Sequence, residues 1–236
     1  MDYVISDIHG AMDLWHKLVG TIDFKLTKKS EEYFDDRLFV LGDIIDKGPD
    51  SVLLLFELSR YSNVFAIAGN HELDFLKVYE ITQKKHATAE EIRFYDLYTA
   101  NGGFKTLSDF FKLSNEKRNY ILGYLRSLPL YYRVNTHNHK YILVHAGLGN
   151  FKSTKPMSHY TADELTRYRV VDDEYLFRYK KVVCGHTPTL KKDNTPAEVA
   201  YKGSYICIDC GCSFPLRGGR LACLRLDDPM NPIYIV

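Results

Sequence analysis

Short apolar runs punctuate this chain, and most of them stop abruptly at Asp, His, Asn or Gly. Tyr3-Val4-Ile5 runs into Ser6-Asp7-Ile8-His9-Gly10, Leu38 to Leu41 into Gly42-Asp43, and Val64 to Ala68 into Gly69-Asn70-His71-Glu72. Tyr141 to Val144 runs into His145-Ala146-Gly147, and Val182-Val183-Cys184 into Gly185-His186-Thr187. Apolar, β-branched runs of this length read as buried strands of an α/β sheet. Between the first of them the period changes. Leu14, Leu18 and Ile22 recur at helical spacing over 12–22, and Val52, Leu55, Phe56 and Leu58 do so over 51–59. Alternating elements with short links favour parallel strands and right-handed crossovers.

The middle, 73–128, contains helix-like segments rich in Tyr, Phe, Lys and Glu, with Asn101-Gly102-Gly103 as a turn. It holds no convincing strand and reads as a helical insertion beside the site. After Pro129 strands are expected at 130–134, 140–144, 181–184, 204–208, 220–226 and 232–235, a spacing that suggests a second, largely antiparallel sheet. The expected class is α/β (α+β), with two sheets packed face to face and helices outside. No repeat or Pro/Gly-rich linker divides the chain, so one domain over 1–236 is expected.

Ligands of α/β sheets bind beyond the carboxyl ends of the strands. About seven metal-grade side chains therefore face what reads as one edge of one sheet. Asp7 and His9, one residue apart, point to the same side of an extended turn. A carboxylate with an imidazole suits a divalent transition metal better than Ca²⁺. Asp43 follows its strand directly, where a carboxylate can bridge two ions. Asn70 offers an amide oxygen, and His145 and His186 offer imidazole nitrogens. Glycines beside these positions permit tight turns and close approach. Each residue alone reads as turn chemistry or a surface side chain; five clusters at equivalent strand ends do not.

Charge and cysteine content remove other classes. Thirty-one basic against thirty acidic residues leave +1, without a nucleic-acid footprint. No apolar run is long enough to span a bilayer, and Met1-Asp2-Tyr3 lacks the basic start of a signal peptide, so a cytoplasmic protein is expected. Five cysteines argue against a disulfide framework. Cys207, Cys210 and Cys212 lie close together, but without a second Cys pair at zinc spacing they read as buried thiols. His137 and His139 read as a hairpin turn, and His16, His86 and His159 have no partners in the pattern.

The ordered set Asp7-Ile8-His9-Gly10, Gly42-Asp43 through Asp46-Lys47-Gly48, Gly69-Asn70-His71-Glu72, His145-Ala146-Gly147 and Gly185-His186-Thr187 resembles the phosphoprotein phosphatase family. That family belongs to the calcineurin-like metallophosphoesterases, and the short C-terminus and Thr99 to Leu107 are closest in pattern to its bacterial and phage members. The resemblance implies a four-layer αββα sandwich with two packed mixed sheets. It implies that Asp7, His9 and Asp43 hold a first metal, and Asp43, Asn70, His145 and His186 a second. Two divalent ions are implied, Mn²⁺ in first place, with Fe, Zn²⁺ and Mg²⁺ as alternatives.

Such a pair can lower the pKa of a bridging water toward ~7 and clamp phosphoryl oxygens. The leaving group still needs a proton, and His71 is the candidate general acid, with Asp46 orienting it as the resemblance implies. The expected activity is metal-dependent phosphomonoester hydrolysis of the Ser/Thr protein phosphatase type, on a phosphorylated protein or a small phosphorylated or nucleotide substrate. Symmetrical diadenosine tetraphosphate hydrolysis and a non-catalytic binding role are the alternatives. Two phosphate contacts depart from the family: Lys47 stands where Arg is usual, and Ala68 likewise. Lys lacks the planar fork that binds phosphate bidentately. Arg167 is the expected replacement clamp and Arg169 the reserve.

Overall fold

The structure is a computed structural model that describes residues 1–31 and 35–236. Its first sheet contains β1 (Asp2–Ile5), β2 (Arg37–Val40), β3 (Val64–Ala66), β9 (Leu221–Arg225) and β10 (Ile233–Ile235), in the order β10-β9-β1-β2-β3. The second contains β4 (Tyr131–Asn135), β5 (Lys140–Val144), β6 (Lys180–Cys184), β7 (Ala200–Lys202) and β8 (Tyr205–Cys207), in the order β4-β5-β6-β8-β7. Each has three adjacent parallel strands, β1-β2-β3 in one and β5-β6-β8 in the other; β9 pairs antiparallel with β1 and β10 antiparallel with β9, while β4 and β7 pair antiparallel with β5 and β8 respectively.

Two expectations change here. The second sheet is mixed rather than largely antiparallel. The strands at 220–226 and 232–235 extend the first sheet past β1 instead of joining the second. The expected alternation explains the packing nonetheless. Along β1, Tyr3 and Ile5 face outward into one apolar cluster while Val4 faces the other sheet. Along β5, Tyr141 and Leu143 face inward and Ile142 and Val144 outward. The inner cluster joins Val4, Phe39 and Leu41 to Leu143, Val183 and Ile206, so the sheets share one core.

Over the outer face of the first sheet lie α1 (Met12–Thr21), α2 (Ser51–Leu58) and the insertion. The insertion folds as α3 (Asn70–Thr82), α4 (Ala89–Tyr98), a π-helical turn Thr99–Gly103, α5 (Phe104–Phe111) and α6 (Asn115–Ser127). It starts at Asn70, three residues before the expected boundary, because the strand-end cluster itself forms the first turn of α3. The outer face of the second sheet is covered more thinly, by irregular chain around the five-residue α7 (Ala162–Thr166). No helix among the described residues is long and apolar enough to cross a membrane.

Leu143 is fully buried where the two sheets meet. Leu143→Ala is expected to cost about 2–5 kcal/mol through lost transfer energy and a residual cavity, read as a lower urea midpoint at unchanged slope.

Candidate metal centre

All six parallel strands end at one place. β1, β2 and β3 deliver Asp7 and His9, Asp43, and Asn70 and His71; β5, β6 and β8 deliver His145, His186 and Asp209. The candidate side chains thus come from the strand ends of two sheets, not from one. Backbone bonds knit the strand ends together beyond the ladders: His9 N–H donates to Asp43 O at 2.9 Å, Gly185 N–H to His145 O at 2.7 Å, and Ile208 N–H to Cys184 O at 2.7 Å. Asp7, His9, Asp43 and His186 all have positive φ, between 47° and 67°. That conformation costs on the order of 1–3 kcal/mol per non-glycine residue and gathers at functional sites. Gly69 and Gly185 lie so close to the carboxylates of Asp43 and Asp7 that a Cβ on either would strike them.

The donor chemistry around Asp43 is one-sided. His145 Nδ1–H donates to Leu41 O at 2.7 Å, which leaves Nε2 as an acceptor. That lone pair lies 3.4 Å from Asp43 Oδ1, 3.1 Å from Asn70 Oδ1 and 3.3 Å from His186 Nδ1. His9 repeats the arrangement: Nδ1–H donates to Ile45 O at 2.9 Å, and Nε2 lies 3.9 Å from Asp43 Oδ2. Carbonyl partners that fix a histidine tautomer and free its other nitrogen are the usual support of a metal ligand. Burial, the largest influence, pushes His9 and His186 down to about 3 and lowers His145 as well, so all three are neutral and ligand-competent at pH 7. Burial opposes ionisation of Asp43, but His145, His71, His9 and Lys47 outweigh it and hold its carboxyl below the usual range.

Asp7 and Asp209 face the opposite situation. Both are buried and pushed up, first by desolvation and then by other carboxylates, Asp209 to about 7. Asp7 takes the His186 N–H with both oxygens, at 3.2 and 3.0 Å. Buried carboxylates and imidazole lone pairs converging on one spot are what divalent cations neutralise. The residues therefore fit metal ions. Two compact groups could each hold one, His9 with Asp43 and His71, and Asp43 with His145 and His186. Asp7 is not within the first group; His71 takes that place. One cation is already there: Lys47 Nζ meets His9 Nε2 at 2.8 Å.

Beside these groups His71 Nδ1 is 2.7 Å from Asp46 Oδ2, and Asp46 Oδ1 accepts the Tyr98 hydroxyl at 2.8 Å. Burial alone would lower the His71 pKa, but Asp43 and Asp46 outweigh it and the net shift is upward. Behind them stands Glu72, fully buried, whose carboxylate accepts four backbone N–H groups: Asp43 at 2.9 Å, Ile44 at 2.8 Å, Ile45 at 3.3 Å and Gly69 at 2.7 Å.

The calcineurin-like phosphoesterase family model matches residues 3–217. The chain belongs to that family. It is accordingly a phosphoester-cleaving hydrolase, and membership implies divalent metal ions at this donor set. Over 95% of the chain it is 28% identical to an asymmetrical bis(5′-nucleosyl)-tetraphosphatase of Oceanobacillus iheyensis, covering 88% of that protein. A symmetrical bis(5′-nucleosyl)-tetraphosphatase of Nitrosomonas europaea is 33% identical over 62% of the chain, which spans only 44% of it. Among solved structures, one provisionally called a diadenosine tetraphosphatase matches with a TM-score of 0.64 at 22% identity, covering 100% of this chain and 93% of that one. A serine/threonine protein phosphatase from Saccharomyces cerevisiae matches with a TM-score of 0.53 at 17% identity, over 96% and 73%. The two structural likenesses concern the fold.

In this phosphoesterase the cavity above the donors measures about 420 Å³ and is bordered by Lys47, Arg167, Arg169, Asn101 and Phe214. Arg167 is engaged, pairing with Asp74 and, at 3.1 Å, with Asp163. Arg169 has no ion pair among the described residues, so the reserve candidate is the freer of the two. Ala68 is buried, its N–H donated to Pro129 O at 2.9 Å, and adds nothing to the cavity. His137 and His139 lie in the turn between β4 and β5, and His16, His86 and His159 are exposed. All five cysteines are free and buried, and none joins a candidate metal group among the described residues. Three residues had no assigned role in the sequence reading. Asp209 repeats the strand-Asp-Gly pattern in Ile206-Cys207-Ile208-Asp209-Cys210-Gly211, masked there by its cysteines. Glu72 sits inside a quoted motif. Tyr98 carries no local signal.

Glu72→Gln keeps the shape but turns an NH₂ donor toward backbone donors. A loss of about 1–3 kcal/mol in urea unfolding is expected, with weaker metal retention in elemental analysis. Unaltered stability would show that the four contacts do not anchor the Asp43 loop.

Proposed function

We propose that this chain hydrolyses dinucleoside polyphosphates of the bis(5′-nucleosyl) tetraphosphate class, asymmetrically, at a dinuclear metal centre. The observation that carries the chemistry is the convergence of the His9, Asn70 and His145 acceptor atoms around the buried Asp43 carboxylate. The substrate class is supported by the near full-length relative, whose name specifies asymmetrical cleavage. The symmetrical relatives match shorter stretches; a phosphoprotein substrate has only the shared fold behind it.

In this reading Asp7, His9 and Asp43 would hold one ion and Asp43, Asn70, His145 and His186 the other, Asp43 lying between. When bound, the pair would supply charge neutralisation at the phosphoryl group and a water acidified toward ~7. Mn²⁺ is the ion we propose, since the carboxylate and amide oxygens suit it, while the imidazoles would also take Fe or Zn²⁺. His71 gives its Nδ1 to Asp46, so its Nε2 faces the cavity and can deliver a proton to the departing oxygen. Tyr98 and Ser51 hold Asp46 in turn, the latter hydroxyl accepting the Asp46 N–H at 2.9 Å. Lys47 and Arg169 offer positive charge to a polyphosphate, with Arg167 in support. Phe214, 5.9 Å from Lys47 Nζ, presents a ring at the mouth where a base can stack.

Diadenosine tetraphosphate with Mn²⁺ is expected to give AMP and ATP on chromatography. Two ADP would make the reaction symmetrical, and turnover of phosphopeptides alone would restore the phosphoprotein reading. Asp43→Asn is expected to abolish both turnover and bound metal in elemental analysis.

His71→Asn should lower kcat by roughly 10²–10⁴-fold on an alkyl phosphate, whose alkoxide needs a proton. The loss should be smaller on a phosphoanhydride, whose leaving phosphate is a far weaker base. Equal losses on both would remove His71 from proton transfer.

A further inference from the structure

The outer face of the second sheet carries a cavity of about 330 Å³ that shares no lining residue with the metal centre. That size lies within the range of small-ligand pockets. Five cations line it: Arg133 on β4, Lys140 and Lys180 at the heads of β5 and β6, and Lys152 and Lys155 from the covering chain. No Asp or Glu does. Glu164 neutralises Lys155 at 2.8 Å, while the other four have no ion pair among the described residues.

Their placement is electrostatically unfavourable. Lys140 and Lys180 are direct register partners on adjacent parallel strands, and like charges placed opposite one another destabilise a sheet. Arg133 pairs in register with Ile142, which shares its face with Lys140 two residues earlier. Three cations therefore stand together on one face. The floor beneath them is apolar, with Ile142, Leu148, Met157 and Tyr160 buried. Phe151 and Phe177 meet edge to face at 5.1 Å, both in the lining, and Lys180 lies 5.4 Å above the Phe177 ring.

A basic rim over an aromatic floor asks for a ligand that is anionic at one end and flat and apolar at the other. We propose that this pocket binds a nucleoside phosphate, its phosphates at Arg133, Lys140 and Lys180 and its base against Phe151 and Phe177. The site is separate from the metal centre yet connected to it through two strands. β5 runs from Lys140 to Val144, the residue before His145, and β6 from Lys180 to Cys184, two residues before His186, each over about 13–17 Å of extended chain. Occupancy here does not depend on what the metal centre cleaves.

The test is calorimetric titration of the metal-loaded full chain with adenosine 5′-(β,γ-imido)triphosphate, which resists hydrolysis. Two classes of binding are expected. Lys140→Glu/Lys180→Glu should weaken one class at least tenfold while circular dichroism and p-nitrophenyl phosphate turnover stay unchanged, and Lys140→Gln/Lys180→Gln should weaken it less. Asp43→Asn should remove only the other class. Two unaltered classes in the Lys140/Lys180 variants, or a single class that Asp43→Asn abolishes, would overturn the proposal. Imidodiphosphate binding this class as tightly as the nucleotide would overturn its nucleoside part.

Discussion

Everything at the metal centre hangs on one buried carboxylate that touches no substrate. Glu72, on the first turn of α3, gathers the N–H groups of Asp43, Ile44 and Ile45 from the end of β2 and of Gly69 from the end of β3. An isolated carboxylate in this position would be costly, and four backbone donors offset part of that cost, burial and the Asp43 charge still pushing its pKa up to about 7. The same bonds satisfy amides that the strand ladder has released. Asp43 is thereby held in its positive-φ conformation, and on Asp43 the remaining donors converge.

Around that anchor the fold is economical. A parallel strand delivers its last residue to the same edge as its neighbours, and this chain does so three times in each of two sheets. The insertion contributes through Tyr98, which reaches Asp46, and through the turn at Gly102, whose carbonyl accepts the Lys47 N–H at 3.2 Å. The helices placed outside the first sheet thus brace the His71 and Asp46 side of the cavity. The side bordered by Lys47, Arg167 and Arg169 is braced less. Arg169 stands free, Arg167 is tied to Asp74, and Lys47 is turned toward His9.

Much of this was legible in the sequence because it is local. Five apolar runs ended in chemistry-bearing residues, and each became a strand end at the cavity. The helices at 12–22 and 51–59 lie within a residue of their expected bounds. Long-range pairing was not legible. Nothing within 220–235 says that these strands join β1 from more than two hundred residues away rather than the nearer sheet. Asp209 had the right signature, yet its neighbouring cysteines drew the eye to a different metal chemistry. Tyr98 could not be found at all, since its partner Asp46 is 52 positions distant and only packing joins them. Between Arg167 and Arg169 the sequence was indifferent, and the carboxylate of Asp74 distinguishes them.

The division of the site between two sheets has a mechanical side. Neither sheet owns a complete set of donors: Asp7, His9, Asp43 and Asn70 stand on one, His145 and His186 on the other. An ion shared between Asp43 and His145 would be a rivet across the seam where the sheets meet. Its binding free energy would oppose any opening that parts them, because a ligand that binds only the closed form stabilises that form by mass action. Loading the centre and welding the sandwich would then be one event.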